Sequence, residues 1–155
     1  LMDVASFAEI EEEFMARVRR IVWCTVATVD RQGRPRSRIL HPIWEASTGY
    51  IATGRETLKT KHLAKNPYVS LTYWDPQHQQ IYADCRAEWE DRPEEKQRIW
   101  ELYGATPPPL GYDLKMIWSS PEDATLGILK LTPWRVELYS LMDMPAGKPP
   151  LVWHA

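Results

Sequence analysis

The stretch Arg34–Lys61, RPRSRILHPIWEASTGYIATGRETLKTK, decides how the rest of the chain is read. Arg36 and Arg38 alternate with Ser37 and Ile39, so at period two both guanidinium groups leave one face of a strand. Tyr50-Ile51-Ala52-Thr53 forms a second short β-type run, and Gly54 ends it. Thr57 is then placed as a helix N-cap, with Lys59 and Lys61 in the first turn behind it. Lysines there oppose the helix dipole, whose N-terminus is already positive. A bound anion removes the conflict. Free backbone N–H groups, the Thr53 and Thr57 hydroxyls and Arg38 have the chemistry to hold one, and a phosphate suits them.

The charge distribution leaves two interpretations open. Between Arg31 and Lys65 lie eight of the 19 Lys and Arg but only two of the 21 Asp and Glu, Glu45 and Glu56. Net charge over the whole chain is −2, so positive charge is concentrated in this one region. It marks either an anion site or a solvated basic face that protects a sheet edge. The slightly acidic total argues against general nucleic-acid binding.

Outward from this stretch, strand patterns dominate. Upstream, Ser6 to Glu9 is a capping box, and Phe7, Ile10, Phe14, Val18 and Ile21 follow at helical spacing. This amphipathic helix is expected to lie across the open side of a sheet. Ile21 to Val29, IVWCTVATV, has the continuous apolar character of a strand covered on both faces, and Asp30 to Gly33 turns it into the basic strand. Downstream, Asn66-Pro67 stops the lysine-bearing helix, and Tyr68 to Trp74 is another strand. The clearest alternation comes next: Ile81, Ala83, Cys85, Ala87 and Trp89 face one way, Gln80, Tyr82, Asp84, Arg86 and Glu88 the other. Asp91 to Glu94 is a second capping box, opening a helix that ends at Gly104. After a proline-rich loop, Gly127 to Ser140 is a last long strand, broken at Pro133. Met144 to Ala155 shows no periodic element. Short turns between strands imply an antiparallel barrel with helices packed around it, in one domain spanning 1–155.

Composition bounds the function. Eight Trp and seven Tyr against two Phe suit either a stacked ligand or ordinary aromatic packing. Cys24 and Cys85 lie in strand patterns without a CxxC partner or a histidine at ligand spacing, so no metal site is expected. Two reduced thiols, no apolar run near the ~20 residues of a membrane span and no leader pattern point to the cytoplasm. No Ser-His-Asp set or pair of carboxylates stands out to carry chemistry without a cofactor. His41, before Pro42, is either a ligand contact or a structural side chain, and His62 is expected on the helix surface.

In order, TVATVDRQGRPRSRIL, GYIATG, TLKTKHLAKNP, YVSLTYW, QIYADCRAE and TPWRVELY cover the chain from about Val22 to Tyr139. Together they resemble the pyridoxamine 5′-phosphate oxidase-like split-barrel flavoproteins, and are similar to the actinobacterial branch of that superfamily. The resemblance implies a mainly β fold: a six-stranded antiparallel split barrel with flanking helices. It further implies a homodimer with FMN in a groove between subunits. The family's phosphate-binding arginine falls on Arg38, and the residues that line the isoalloxazine fall on Ile39, Leu40 and His41. The family's hydroxyl residue ending the next strand falls on Thr53, and its Ser-Arg-Lys helix start on Thr57, Leu58 and Lys59. A glutamine that reaches the flavin from the partner falls on Gln80, and an aromatic on the last strand falls on Tyr139.

Departures from the pattern narrow the expectation. Leu58 replaces an arginine, so Arg55 or Lys61 must supply the missing phosphate ligand or the site lacks it. Ile43 stands where pyridoxamine phosphate oxidases carry a substrate-contacting lysine, and LVWHA lacks their Arg-Leu-His-Asp-Arg run. Cys85 replaces a usual glycine. The resemblance therefore implies an FMN-dependent oxidoreductase acting on a small molecule other than pyridoxamine 5′-phosphate. The alternatives are a reductase using the deazaflavin F420, or a non-catalytic binder of flavin or haem.

Overall fold

A computed structural model describes residues 1–155, and its centre is the strand with the strictest alternation, β7 (Gln79–Trp89). Ile81, Ala83, Cys85 and Ala87 are buried, while the residues between them lie on the outer face. Around it run β1 (Met2–Val4), α1 (Glu11–Ile21), β2 (Cys24–Val29), β3 (Pro35–Leu40), β4 (Ile43–Glu45) and β5 (Thr48–Gly54). The chain continues through α2 (Leu58–Lys65), β6 (Tyr68–Trp74), β7, α3 (Pro93–Ala105), β8 (Leu126–Ser140) and β9 (Leu151–His154).

The strands form one nine-stranded sheet in the order β1-β9-β8-β7-β6-β2-β3. The first part of β8 also pairs with β5, which in turn carries β4. β3 pairs with β2 alone, so the barrel is open between β3 and β5. The six expected strands are all present, and β1, β4 and β9 are additions of three or four residues each. The sheet is mixed rather than wholly antiparallel, because β1 runs parallel to β9.

Three local expectations need correction. β8 is not broken at Pro133: the pairing shifts between Asp84–Arg135 and Cys85–Pro133, leaving Trp134 as the extra residue of a bulge. The bulge accommodates a residue that cannot donate to the ladder. α1 extends through Ile21, Val22 turns the chain at φ 69°, and β2 begins only at Cys24. The cap of α3 is Arg92, and the helix runs through Gly104 to Ala105.

One apolar core fills the barrel. Phe7, Ile10, Phe14 and Val18 pack from the N-terminal segment onto the inner faces of β2, β6, β7 and β8. Phe14 meets Trp44 edge-to-face at 5.0 Å, and Phe7 meets Trp153 at 5.3 Å. A second cluster lies outside β5 and the start of β8, where Ile99 and Tyr103 of α3 cover Ile43, Tyr50 and Ile128. No helix is long and apolar enough to cross a membrane.

Gly111 closes the loop after α3 by close backbone approach. A Cβ there would sit 1.8 Å from the Thr106 carbonyl oxygen and 2.7 Å from that of Tyr103. Gly111→Ala is expected to destabilise the fold by on the order of 3 kcal/mol, lowering Tm by roughly 6–12 °C. An unchanged thermal melt would contradict this packing.

Candidate functional site

Arg38 faces the interior of the open barrel, because it sits opposite the buried Val26 in the β2–β3 ladder. Its Nη1 donates to Thr28 Oγ1 at 2.8 Å, to the Arg36 carbonyl at 3.1 Å and to the Val26 carbonyl at 3.2 Å. The Nε and Nη2 edge of the guanidinium makes no bond within the protein. Lys59 of α2 is nearly buried, and its Nζ donates to Thr57 Oγ1 at 2.9 Å and to the Gly54 carbonyl at 3.3 Å. Neither cation forms an ion pair, whereas the nearby Arg34 is paired with Asp30. Burial lowers the pKa of Lys59, and the charge of Arg38 lowers it further. Burial likewise lowers that of Arg38, with Arg36 adding to the effect. Two under-neutralised cations side by side favour an anion.

The start of α2 completes the cradle. Thr57 has an extended backbone and caps the helix, its N–H directed to Thr60 Oγ1 at 3.4 Å. Thr60 Oγ1 donates to the Arg55 carbonyl at 2.5 Å, which ties the turn together. The N–H groups of Leu58 and Lys59 fall in the first turn, where no intrahelical acceptor exists. Since Thr57 Oγ1 accepts from Lys59, its own hydrogen is free for a ligand. Thr53 is buried on the same face of β5 as Ile51, beside Gly54.

Leu58 is exposed and offers only its backbone. Of the two candidates to replace the missing arginine, Arg55 is committed elsewhere. Its Nε and Nη2 donate to the two Asp91 carboxylate oxygens, each at 3.0 Å, and the guanidinium lies 4.6 Å above Trp89. Lys61 lines a shallow cleft with Arg31, Arg36 and His62, so it is the cation left available.

The other expected site residues are dispersed. Ile39 is 59% exposed on the outer face, and Leu40 packs inward against the core. His41 turns away from the cradle. Its Nε2 lies 2.6 Å from the Leu110 carbonyl, so it carries the hydrogen, and its ring stacks on Tyr112. Gln80 and Tyr139 are direct cross-strand partners on the outer face, and the Tyr82 hydroxyl donates to Gln80 Oε1. Within one chain, Gln80 and Tyr139 thus lie on the opposite face of the sheet from Arg38.

His62 is not a surface residue. It is 3% exposed, and its Nδ1 lies 2.9 Å from Thr28 Oγ1. The available signal was spacing: His62 stands three residues after Lys59, on the same side of α2. Both cysteines are buried free thiols, and burial pushes the Cys24 thiol up to about 12. No group of three or more metal-type side chains converges.

The structure is therefore a split barrel that carries two unpaired cations, Arg38 and Lys59, near its open edge and the start of α2. Residues 10–139 match the family model described as Pyridoxamine 5′-phosphate oxidase, and the chain belongs to that family. It is 33% identical over 104 residues to Pyridoxine/pyridoxamine 5′-phosphate oxidase of Pseudomonas fluorescens (strain Pf0-1). That match covers 66% of this chain but 45% of the relative, so the chain spans less than half of that protein's length. Among solved structures, a nimC/nimA family protein from Clostridium acetobutylicum superposes with a TM-score of 0.70 at 18% identity, over 87% of this chain and 88% of that one. A pyridoxamine 5′-phosphate oxidase-related, FMN binding protein from Nostoc punctiforme PCC 73102 gives 0.66 at 17% identity, over 95% and 88%. At such identities the two structures share the fold.

Proposed function

We propose that this chain is an FMN-binding oxidoreductase acting on a small molecule other than pyridoxamine 5′-phosphate. The observation that carries the proposal is the pair Arg38 and Lys59, neither paired with a carboxylate: the charge of Arg38 acts on Lys59, which lies in the first turn of α2. That donor set matches a phosphate monoester: a guanidinium edge, an ammonium, a threonine hydroxyl and helix N–H groups. Bound flavin would supply the redox chemistry, and the protein supplies position and electrostatics. Arg38 and Lys59 hold the phosphate, and Lys61 adds charge at the rim. The two free cysteines suit a reducing compartment, and this interpretation assigns the protein to the cytoplasm.

The cofactor is proposed to lie between two copies of the chain. Gln80 and Tyr139 sit on the outer face, which also exposes Ile39, Tyr68, Trp74 and Trp134. A second copy packed there would cover these apolar side chains and bring Gln80 towards its partner's cradle.

The absorption spectrum of the purified protein, with mass spectrometry of what it releases on denaturation, tests the cofactor. A flavin spectrum with FMN released is expected, and a deazaflavin or tetrapyrrole would contradict the proposal. Pyridoxamine 5′-phosphate should be a poor substrate. Ile43 is buried in an apolar cluster, and Leu151 and Trp153 of β9 pack against the core, so neither stretch offers a lysine or arginine to a substrate phosphate. With bound FMN, kcat/KM for this compound is expected below about 10⁴ M⁻¹s⁻¹, the low end for enzymes. Conversion to pyridoxal phosphate at ordinary enzymatic efficiency would contradict it.

A further inference from the structure

We infer that Thr28 and His62 are positioning residues for Arg38, forming a buried relay that aims the free edge of its guanidinium at the cradle. The inference rests on the phosphate role proposed for Arg38. Thr28 and His62 are 2% and 3% exposed, so their polar groups must satisfy one another away from water. Arg38 has no acceptor, so Thr28 Oγ1 accepts from Nη1 at 2.8 Å. The single Thr28 hydroxyl hydrogen is then free for His62 Nδ1 at 2.9 Å, which makes Nδ1 the acceptor and puts the ring proton on Nε2. Burial and the charge of Arg38 both lower the His62 pKa, which keeps the ring in this neutral form.

The relay spans the split in the barrel. β3 and β5 share no ladder, so backbone hydrogen bonds do not register Arg38 against the helix that follows β5. The other acceptors of Nη1, the Arg36 and Val26 carbonyls, belong to β3 and β2 and carry no information about α2. Thr28 of β2 and His62 of α2 connect the arginine to the helix whose N-terminus holds Lys59 and Thr57. With Nη1 held inside, Nε and Nη2 form the fork that grips two phosphate oxygens.

The test is FMN titration, with inorganic phosphate in parallel, of wild type, Thr28→Ser, Thr28→Val, His62→Asn and His62→Leu. Asparagine can place an oxygen acceptor near the position of Nδ1, and leucine cannot. Thr28→Val and His62→Leu are expected to weaken FMN binding about tenfold. Thr28→Ser and His62→Asn should stay within about twofold of wild type. In an Arg38→Ala background, Thr28→Val should change nothing further, because its effect passes through the arginine. An equal loss in that background would make Thr28 merely structural and overturn the relay. Nitrogen-15 spectra of His62 decide the matter even if Thr28→Val does not fold. Wild type should carry the proton on Nε2, and a proton on Nδ1 overturns the relay. Wild type that binds FMN as tightly as Thr28→Val and His62→Leu overturns the relay alone. Wild type that binds neither FMN nor inorganic phosphate overturns both the relay and the phosphate role of Arg38.

Discussion

Replacing Arg38 and Lys59 together by alanine should weaken FMN binding by about a hundredfold to ten-thousandfold. Each charge-assisted hydrogen bond to phosphate contributes about 1.5–3 kcal/mol, and each 1.4 kcal/mol is about a factor of ten in affinity. Single replacements should each lose roughly tenfold to a hundredfold. The two cations repel one another and are proposed to hold one ligand, so their effects should not be strictly additive. Fold stability should hardly change, since neither cation is in an ion pair and both pKa values are lowered by burial. Thermal melts without ligand check the second half of this expectation. A melt that collapses in the double variant would assign these residues to the scaffold instead.

Mixing two defective proteins should restore binding. Arg38→Ala and Gln80→Ala protomers each lose affinity when pure, because every site then carries one lesion. If sites are shared between copies, each mixed dimer has one site with both lesions and one intact. With free exchange of equal amounts, half the dimers are mixed, so roughly a quarter of all sites should regain wild-type affinity. The structural motive is the placement of the two residues: Arg38 on the inner face of β3, opposite Val26, and Gln80 on the outer face of β7, opposite Tyr139. One chain cannot bring both to one ligand without passing through its own sheet. Mass action then predicts that FMN shifts the population towards dimer in sedimentation experiments. A mixture with no high-affinity fraction, or a monomer that binds FMN tightly, would contradict the shared site.

Much of this arrangement was legible in the sequence where a signal was local. The alternation in β7 and the apolar runs of β2 and β6 identify strands by themselves, and Thr57 marks the start of α2 with Lys59 behind it. The short strands β1, β4 and β9 were not legible, because three or four residues cannot establish a period. Pro133 signals a break in sequence, but a bulge opposite Asp84–Cys85 absorbs it, and a bulge depends on the partner strand. The burial of His62 is hidden for the same reason: its hydrogen-bond partner, Thr28, lies 34 residues earlier on β2. Likewise nothing near Arg55 reveals that Asp91 and Trp89 occupy it, leaving Lys61 as the spare cation. The adjacency of Gln80 and Tyr139 follows from the β7–β8 register, which no single stretch encodes.

The phosphate group itself offers the most direct measurement. Riboflavin shares the isoalloxazine and ribityl chain of FMN but lacks the phosphate, so the ratio of the two affinities isolates what the cradle contributes. Titration of wild type should show FMN bound at least about a hundredfold more tightly than riboflavin. In the Arg38→Ala, Lys59→Ala double variant the two ligands should bind with nearly equal affinity. Wild type that holds riboflavin as tightly as FMN, or a double variant that keeps the full preference, would show that Arg38 and Lys59 do not bind the phosphate.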